Sequence, residues 1–185
     1  MKRTLVFCSI LFFCFSLNIF AEDESRFTYQ GKPIHPGLVQ EFESWYSDRG
    51  LPTTISVDIS APHSNEYNDS DVKVEDSGYV VCQDADSPEY FYYKWCGKLD
   101  NGLHVLITGS GGSGSGVFKN VCFVRFDNDT GYTAEGEKYN RLLMIIVRRH
   151  PLGDRDDGDV TLLPAENKVI LGKSRYRDEQ VVLEF

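Results

Sequence analysis

Beyond its first 21 residues, the chain lacks any apolar run that approaches the length of a membrane span, which needs about 20 predominantly apolar residues. It is also short of positive charge, because 19 Lys and Arg residues stand against 28 Asp and Glu residues and the formal net charge is −9. Binding to nucleic-acid phosphates needs a surplus of Lys and Arg on one face. We therefore expect no nucleic-acid partner and no membrane span after residue 21.

Short motifs of catalytic and metal sites are also missing from the sequence. The four histidines occur in no H-E-x-x-H or H-x-H pattern, which would place two zinc ligands side by side. No G-x-S-x-G elbow leads from a predicted strand into a predicted helix, as a serine hydrolase of the α/β type would need. The sequence therefore names no catalytic residue, cofactor or metal ligand, and it favours a non-enzymatic role.

The first 21 residues have the composition of a secretory signal peptide. A basic start precedes an apolar run from Leu5 to Phe20, and small Ala21 stands before an acidic stretch. We predict cleavage near Ala21 and a single periplasmic or secreted β-rich domain over residues 22–185. Lipidation of Cys14 is the alternative that the sequence leaves open.

The acidic residues are unevenly distributed along the predicted mature chain. Residues 22–97 carry 15 acidic and 5 basic residues, whereas residues 98–185 carry 13 and 12. An acidic surface steers a basic partner toward it, although such a charge also serves solubility alone. The candidate binding residues are five acidic residues of predicted loops and two serines of a glycine-rich loop: Glu66, Asp69, Asp71, Asp84, Asp86, Ser113 and Ser115.

Three cysteines remain after the predicted signal peptide. Cys82 and Cys96 flank a short acidic loop, so we predict a disulfide between them. Closing a loop of about 15 residues contributes about 3 kcal/mol in the chain-entropy model. Cys122 falls on the apolar face of a predicted strand, and we predict that it stays a buried thiol.

The chain reads as one helix followed by strands and turns. Pro36 suits the first turn of a helix whose apolar face carries Leu38, Phe42 and Trp45. In the centre, Asn101-Gly102 predicts a two-residue type I′ hairpin that would set Trp95 opposite Thr108. We predict a mainly β fold, an antiparallel β sandwich or barrel of about nine strands with one short N-terminal helix.

Two turn-like segments invite functional interpretations that their context does not favour. Gly109 to Gly116 contains G-x-G-x-x-G, but a strand rather than a helix follows, so we predict a mobile hairpin loop that contributes to binding. Another turn is predicted at residues 127–131. The aspartates around Gly158 do not match an EF-hand register, and an Asp-rich turn explains them, although calcium binding stays open: Asp154, Asp156, Asp157 and Asp159.

Two of these segments carry a resemblance. Residues 111–118 read GGSGSGVF and residues 152–158 read LGDRDDG. Together they resemble uncharacterised exported bacterial β-rich proteins in which a glycine-rich loop precedes an apolar strand and an L-G-D-R-x-x-G turn follows a later strand. The resemblance implies a bacterial source and a β-rich fold, and it implies no activity.

Two function classes follow from these observations. The first is an exported non-enzymatic binding protein, such as an inhibitor or immunity protein that blocks a basic secreted protein. The alternative is a carbohydrate-binding module or a hydrolase that acts on cell-envelope material. An exposed row of aromatic residues with two carboxylates in one cleft would favour this alternative. Its candidate aromatic residues are Trp45, Tyr90, Tyr92, Tyr93 and Trp95.

Overall fold

Strands dominate the regular structure of this chain. The computed structural model describes residues 26–42, 54–61, 72–83 and 86–185. In these ranges one α-helix, α1, covers Pro36–Gln40 and a 3₁₀ helix covers Pro164–Glu166. The strands are β1 Thr28–Tyr29, β2 Lys32–Pro33, β3 Ser56–Asp58, β4 Val72–Val74, β5 Tyr79–Gln83, β6 Tyr90–Lys98, β7 His104–Gly111, β8 Val117–Tyr132, β9 Lys138–Asp154, β10 Val160–Leu163, β11 Lys168–Leu171 and β12 Val181–Glu184.

The prediction of a mainly antiparallel β fold with one short N-terminal helix is confirmed. The structure adds the two-residue strands β1 and β2, which the sequence did not predict. Pro36 lies in the first turn of α1, as expected, and the Nδ1 atom of His35 caps the helix by accepting a hydrogen bond from Gly37 N at 3.0 Å. The predicted signal peptide and Trp45 lie outside the described residues.

A curled sheet of seven strands is the largest element of the fold. Its strand order is β3-β9-β8-β7-β6-β5-β4, and each neighbouring pair is antiparallel. The long strands β8 and β9 remain paired up to Tyr132 and Lys138, as a ribbon that extends beyond Val124, the last residue of β8 to pair with β7. The turn predicted at residues 127–131 is therefore wrong, because Asp129 pairs with Arg141 inside this ribbon and forms an ion pair with it.

Apolar residues cover the two faces of this sheet in two separate clusters. The first face, which carries Phe91, Tyr93 and Cys122, is covered by the N-terminal segment, including Phe27 and Ile34. Tyr93 links the large sheet to the N-terminal segment, since its hydroxyl donates a hydrogen bond to Ile34 O at 2.6 Å. The prediction that Cys122 is buried is confirmed. The opposite, second face packs against the three-stranded sheet β10-β11-β12 through residues that include Val105, Val121, Phe123, Val169, Leu171 and Leu183.

Three hairpins of the large sheet share one turn geometry. In each, a three-residue loop ends in a glycine with positive φ: Gly78 at 84°, Gly102 at 90° and Gly136 at 83°. The backbone N–H of each of these glycines donates a hydrogen bond to the carbonyl oxygen of the residue that precedes the loop, with N···O distances of 2.8 to 3.0 Å. A type I turn followed by a left-handed glycine is the common three-residue hairpin loop. The two-residue type I′ turn predicted at Asn101-Gly102 is therefore wrong by one residue.

A β-bulge also changes the strand pairing that was predicted for the central hairpin. The pairing of β6 with β7 shifts between Trp95 and Gly97, so Trp95 lies opposite Leu106 rather than Thr108. An extra residue in one strand moves every following side chain to the other face. Leu99, which simple alternation places with Phe91, accordingly packs in the second-face cluster.

The structure contradicts the predicted disulfide between Cys82 and Cys96. Cys82 pairs with Phe91, which lies five residues before Cys96 on β6 and therefore about 16 Å along the strand. Cys82 shares the first face with Phe91, whereas Cys96 packs against the second-face cluster. Disulfides need Cα atoms within about 7 Å, and none of the three cysteines is bridged.

Candidate functional site

The three-stranded sheet β10-β11-β12, which we call the small sheet, covers only one part of the second face. Beyond the covered part, strands β5 and β6 direct alternate side chains to this face, because Val80 and Tyr93 point to the first-face core. These side chains, together with a residue of the β4–β5 turn, line an open pocket of about 440 Å³, which we call the tyrosine pocket: Glu75, Tyr79, Val81, Gln83, Tyr90 and Tyr92.

Two glycines of β7 set the positions of the tyrosine rings. Tyr92 pairs with Gly109 and Tyr90 pairs with Gly111. A Cβ atom at Gly109 would lie 2.2 Å from Cζ of Tyr92, and one at Gly111 would lie 2.5 Å from the Tyr90 hydroxyl oxygen. Each ring therefore lies across the backbone of the neighbouring strand, in space that any other residue would occupy.

This arrangement corrects the prediction of a loop from Gly109 to Gly116. The first three residues of that segment belong to β7, and the connection to β8 consists of residues 112–116. Ser113 and Ser115 are exposed in this shorter loop. Glycine is typical of loops, but here two glycines lie in a strand because an aromatic ring from the next strand covers them.

The rings of Tyr90 and Tyr92 form the floor of the tyrosine pocket, and the ring of Tyr79 forms its wall. The ring centroids of Tyr90 and Tyr92 are 6.2 Å apart and their planes differ by 13°, so the two rings are nearly parallel. Tyr79 stands at 90° to Tyr92, with a centroid distance of 5.2 Å. The ammonium nitrogen of Lys94 lies 5.3 Å from the Tyr79 centroid, in a cation–π contact.

The hydroxyls of Tyr79 and Tyr92 resist ionisation. Burial raises the pKa of Tyr92 to about 12, and repulsion from Tyr79 and Tyr90 acts in the same direction. Burial also raises the pKa of Tyr79, with further contributions from Cys96 and from the carboxylate of Glu75. At neutral pH Tyr79 and Tyr92 therefore present neutral hydroxyl groups, beside the side chain of Glu75.

A second depression adjoins the tyrosine pocket and shares Tyr79 with it. This charged cleft, also of about 440 Å³, lies between the large sheet and the turn that leads from β9 to β10. Burial raises the pKa of the Cys96 thiol, which opposes its use as a nucleophile. Both charge signs line the cleft, through side chains that include Lys94, Lys119, Asp156, Asp157 and Asp159.

The aspartates of this turn make hydrogen bonds within the protein. The buried Asp156 carboxylate, 3 % exposed, accepts hydrogen bonds from Gly158 N at 3.0 Å and Ser174 Oγ at 2.5 Å, and lies 3.5 Å from Arg177 Nη1. Asp154 Oδ1 accepts a hydrogen bond from Val117 N at 2.7 Å. Among the described residues, no group of three or more His, Cys, Asp or Glu side chains is placed to hold a metal ion.

The structure separates the residues that the sequence nominated for binding. Asp86 is exposed, whereas Glu66, Asp69, Asp71 and Asp84 lie outside the described residues. A Cβ atom at Gly112 would lie 3.3 Å from Cγ of Glu89, so the loop with Ser113 and Ser115 adjoins the connection between β5 and β6. Asp86, Ser113 and Ser115 therefore belong to two neighbouring loops at the Tyr90 end of the tyrosine pocket.

The aromatic candidates divide between surface and core. Tyr90 and Tyr92 line the tyrosine pocket, while Tyr93 is 1 % exposed and Trp95 packs against the first-face cluster. Sequence reasoning missed Tyr79 and Glu75. The alternation of Tyr79, Val80 and Val81 could have indicated Tyr79, since it places the tyrosine on the face of β5 opposite to that of the buried Val80.

Comparison with known proteins finds no match. No protein family matches the chain, and no curated protein or solved structure is detectably similar to it. The helices of the described ranges include none with the length and apolar character that a membrane-crossing helix requires.

Proposed function

We propose that the protein is an exported, non-enzymatic binding protein that contacts a basic exported protein, as an inhibitor or immunity protein does. The observation that carries the proposal is the position of the tyrosine pocket. All six of the described residues that line it, from Glu75 to Tyr92, belong to residues 22–97, which carry 15 acidic and 5 basic residues. An uncovered aromatic surface thus coincides with the strongly acidic half of the chain.

The two features have complementary roles in protein recognition. Opposite charges accelerate encounter and favour the correct partner, while a few buried aromatic anchors supply most of the affinity. Tyr90 and Tyr92 are the proposed anchors. In this proposal the acidic loop residues and the two serines form a polar rim: Glu66, Asp69, Asp71, Asp84, Asp86, Ser113 and Ser115.

A carbohydrate-binding module is the second candidate function. The nearly parallel rings of Tyr90 and Tyr92 favour it, because such rings present flat apolar faces. Glycoside hydrolysis would need a pair of carboxylates beside the rings. Among the described residues that line the tyrosine pocket only Glu75 provides one, while Asp157 and Asp159 line the adjoining charged cleft.

Affinity capture with charge-reversed variants tests the proposal. The first variant replaces five acidic residues of the rim with Lys: Glu66→Lys, Asp69→Lys, Asp71→Lys, Asp84→Lys and Asp86→Lys. The matched control makes the same net change in the other half of the chain: Asp127→Lys, Glu135→Lys, Glu137→Lys, Asp178→Lys and Glu179→Lys. We expect the unmodified chain and the control to capture the same basic exported protein, and the rim variant to lose it.

Association kinetics with the captured protein give the magnitude. Rim charges act mainly on the association rate, so the rim variant should associate about tenfold or more slowly at low salt and with a weaker salt dependence. Equal capture by the rim variant and the control would contradict the proposal. So would turnover of a sugar or ester substrate by the pure protein, or selective binding of an uncharged oligosaccharide.

A further inference from the structure

We propose that the tyrosine pocket is a guanidinium-binding site, which receives an exposed Arg side chain of the basic partner. The inference rests on the proposed function and names the group that the pocket recognises. Three observations support it: the aromatic floor and wall, the cation–π contact already made inside the protein, and the carboxylate at the edge of the pocket.

The aromatic geometry suits a flat cation. The negative face of an aromatic ring attracts a cation placed within about 6 Å of the ring centroid. Tyr90 and Tyr92 provide two nearly parallel rings, and Tyr79 closes one side at 90° to Tyr92. A guanidinium group is planar and less strongly hydrated than an ammonium group, so it stacks on such a floor at a lower desolvation cost.

The protein itself contains a contact of this kind. Lys94 extends along the second face and places its ammonium nitrogen 5.3 Å from the centroid of Tyr79. The wall ring is thus already used by a cation of the same chain. Tyr90 and Tyr92 line the open pocket on the other side of the shared Tyr79, where a cation of the partner has room to enter.

The carboxylate of Glu75 supplies the opposite charge. Glu75 begins the tight turn from β4 to β5, in which its N–H donates to Tyr79 O at 2.8 Å and its carbonyl accepts from Gly78 N at 2.8 Å. The turn therefore fixes the Glu75 backbone beside the wall tyrosine, and Ser77 Oγ donates to Glu75 Oε2 at 3.0 Å. A carboxylate pairs with two N–H groups of a guanidinium, which an ammonium does not match.

Calorimetric titration of the full chain with short peptides tests the inference without the partner protein. The probes are hexa-arginine amide, hexa-lysine amide and hexa-citrulline amide, the last of which keeps the shape of arginine without its charge. At about 0.15 M salt, where exposed charges are largely screened beyond about 8 Å, we expect hexa-arginine to bind more tightly than hexa-lysine and hexa-citrulline not to bind.

Variants of the chain separate the pocket from general charge attraction. Tyr90→Leu and Tyr92→Leu should each weaken hexa-arginine binding about tenfold, whereas Tyr92→Phe, which keeps the ring, should stay within about twofold. Glu75→Gln should reduce the preference for arginine over lysine. The matched controls are Tyr132→Leu, which alters a side chain that is 67 % exposed on the distal ribbon, and Glu179→Gln, and both should leave binding unchanged.

The outcomes distinguish this inference from the proposed function. Hexa-arginine binding that is equal in the unmodified chain, Tyr90→Leu and Tyr92→Leu would overturn the guanidinium site and leave the capture experiment to decide on the basic partner. Should Tyr92→Leu fail to fold, unchanged binding in Tyr90→Leu would overturn the site just as directly. Competition by uncharged cellohexaose for the peptide site would assign the pocket to a glycan instead.

Discussion

At the scale of single residues, cross-strand pairs of tyrosine and glycine shape the second face. Tyr92 lies over Gly109 and Tyr90 over Gly111, and the same pairing recurs in the ribbon, where Tyr139 lies over Gly131. Glycine in a strand normally weakens it, because it offers no side chain to pack and loses more backbone freedom on folding. Here the neighbouring ring takes the place of the missing side chain, so the ring lies flat and its position is defined.

The raised pKa of Tyr92 predicts a loss of stability at alkaline pH. Burial raises this pKa from 10.0 to about 12 in the folded state, so the folded chain holds the proton more tightly than the unfolded chain. The favourable contribution is complete below pH 10 and is lost as the pH rises toward 12. We expect the free energy of unfolding, measured with urea, to fall less steeply with pH in Tyr92→Phe than in the unmodified chain over this interval.

The control for this measurement is Tyr132→Phe, at a tyrosine that is 67 % exposed. It should keep the pH dependence of the unmodified chain. An identical slope in Tyr92→Phe and in the unmodified chain between pH 10 and pH 12 would show that the Tyr92 hydroxyl is not desolvated by the fold.

At the scale of elements, the three-residue hairpin loops hold the curled sheet in register. Gly78, Gly102 and Gly136 each end such a loop with positive φ, and the register of each hairpin follows from the loop length. The first of these loops connects Glu75 to Tyr79, so a turn of the sheet positions two residues of the tyrosine pocket. A second positioning element is the turn after β9, which Asp156 holds against Ser174 and Arg177.

Replacement of a loop glycine measures this contribution. Gly102→Ala forces a side chain into the left-handed region at φ 90°, which costs about 1–2 kcal/mol of the free energy of unfolding. The matched control is Gly114→Ala in the β7–β8 loop, where an added Cβ atom meets nothing within 4 Å. It should change stability by less than about 0.5 kcal/mol. Equal urea midpoints for the two variants would contradict the role assigned to the loop.

Much of the element pattern follows from the sequence, while registers and faces depend on features that alternation does not encode. Strand positions from β3 to β12 were predictable because apolar alternation is local. The bulge after Trp95 was not, and it moves Leu99 to the opposite face. The strand glycines were read as a loop because glycine alone does not reveal the ring above it. Tyr90 and Tyr92 of the tyrosine pocket were candidate residues from the sequence alone, whereas the position of Glu75 could not be predicted without the geometry of the β4–β5 turn.

At the scale of the whole molecule, the two faces of the large sheet differ in what covers them. The N-terminal segment packs on the first face, and the small sheet packs on part of the second. An uncovered part of the second face, on β5 and β6, belongs to the acidic half of the chain and carries the tyrosine pocket. The proposed function therefore requires that this uncovered part is the surface at which a cationic partner binds.

A titration followed by NMR of selectively ¹³C-labelled tyrosines tests that claim most directly. Hexa-arginine amide is added to the full chain, with resonances assigned through single Tyr→Phe variants. The account predicts that the ring resonances of Tyr90 and Tyr92 shift together in a saturable manner, while those of Tyr132 and Tyr176, which are 67 % and 56 % exposed, stay in place. Shifts that are as large at Tyr132 and Tyr176, or unshifted Tyr90 and Tyr92 resonances when calorimetry reports binding, would contradict it.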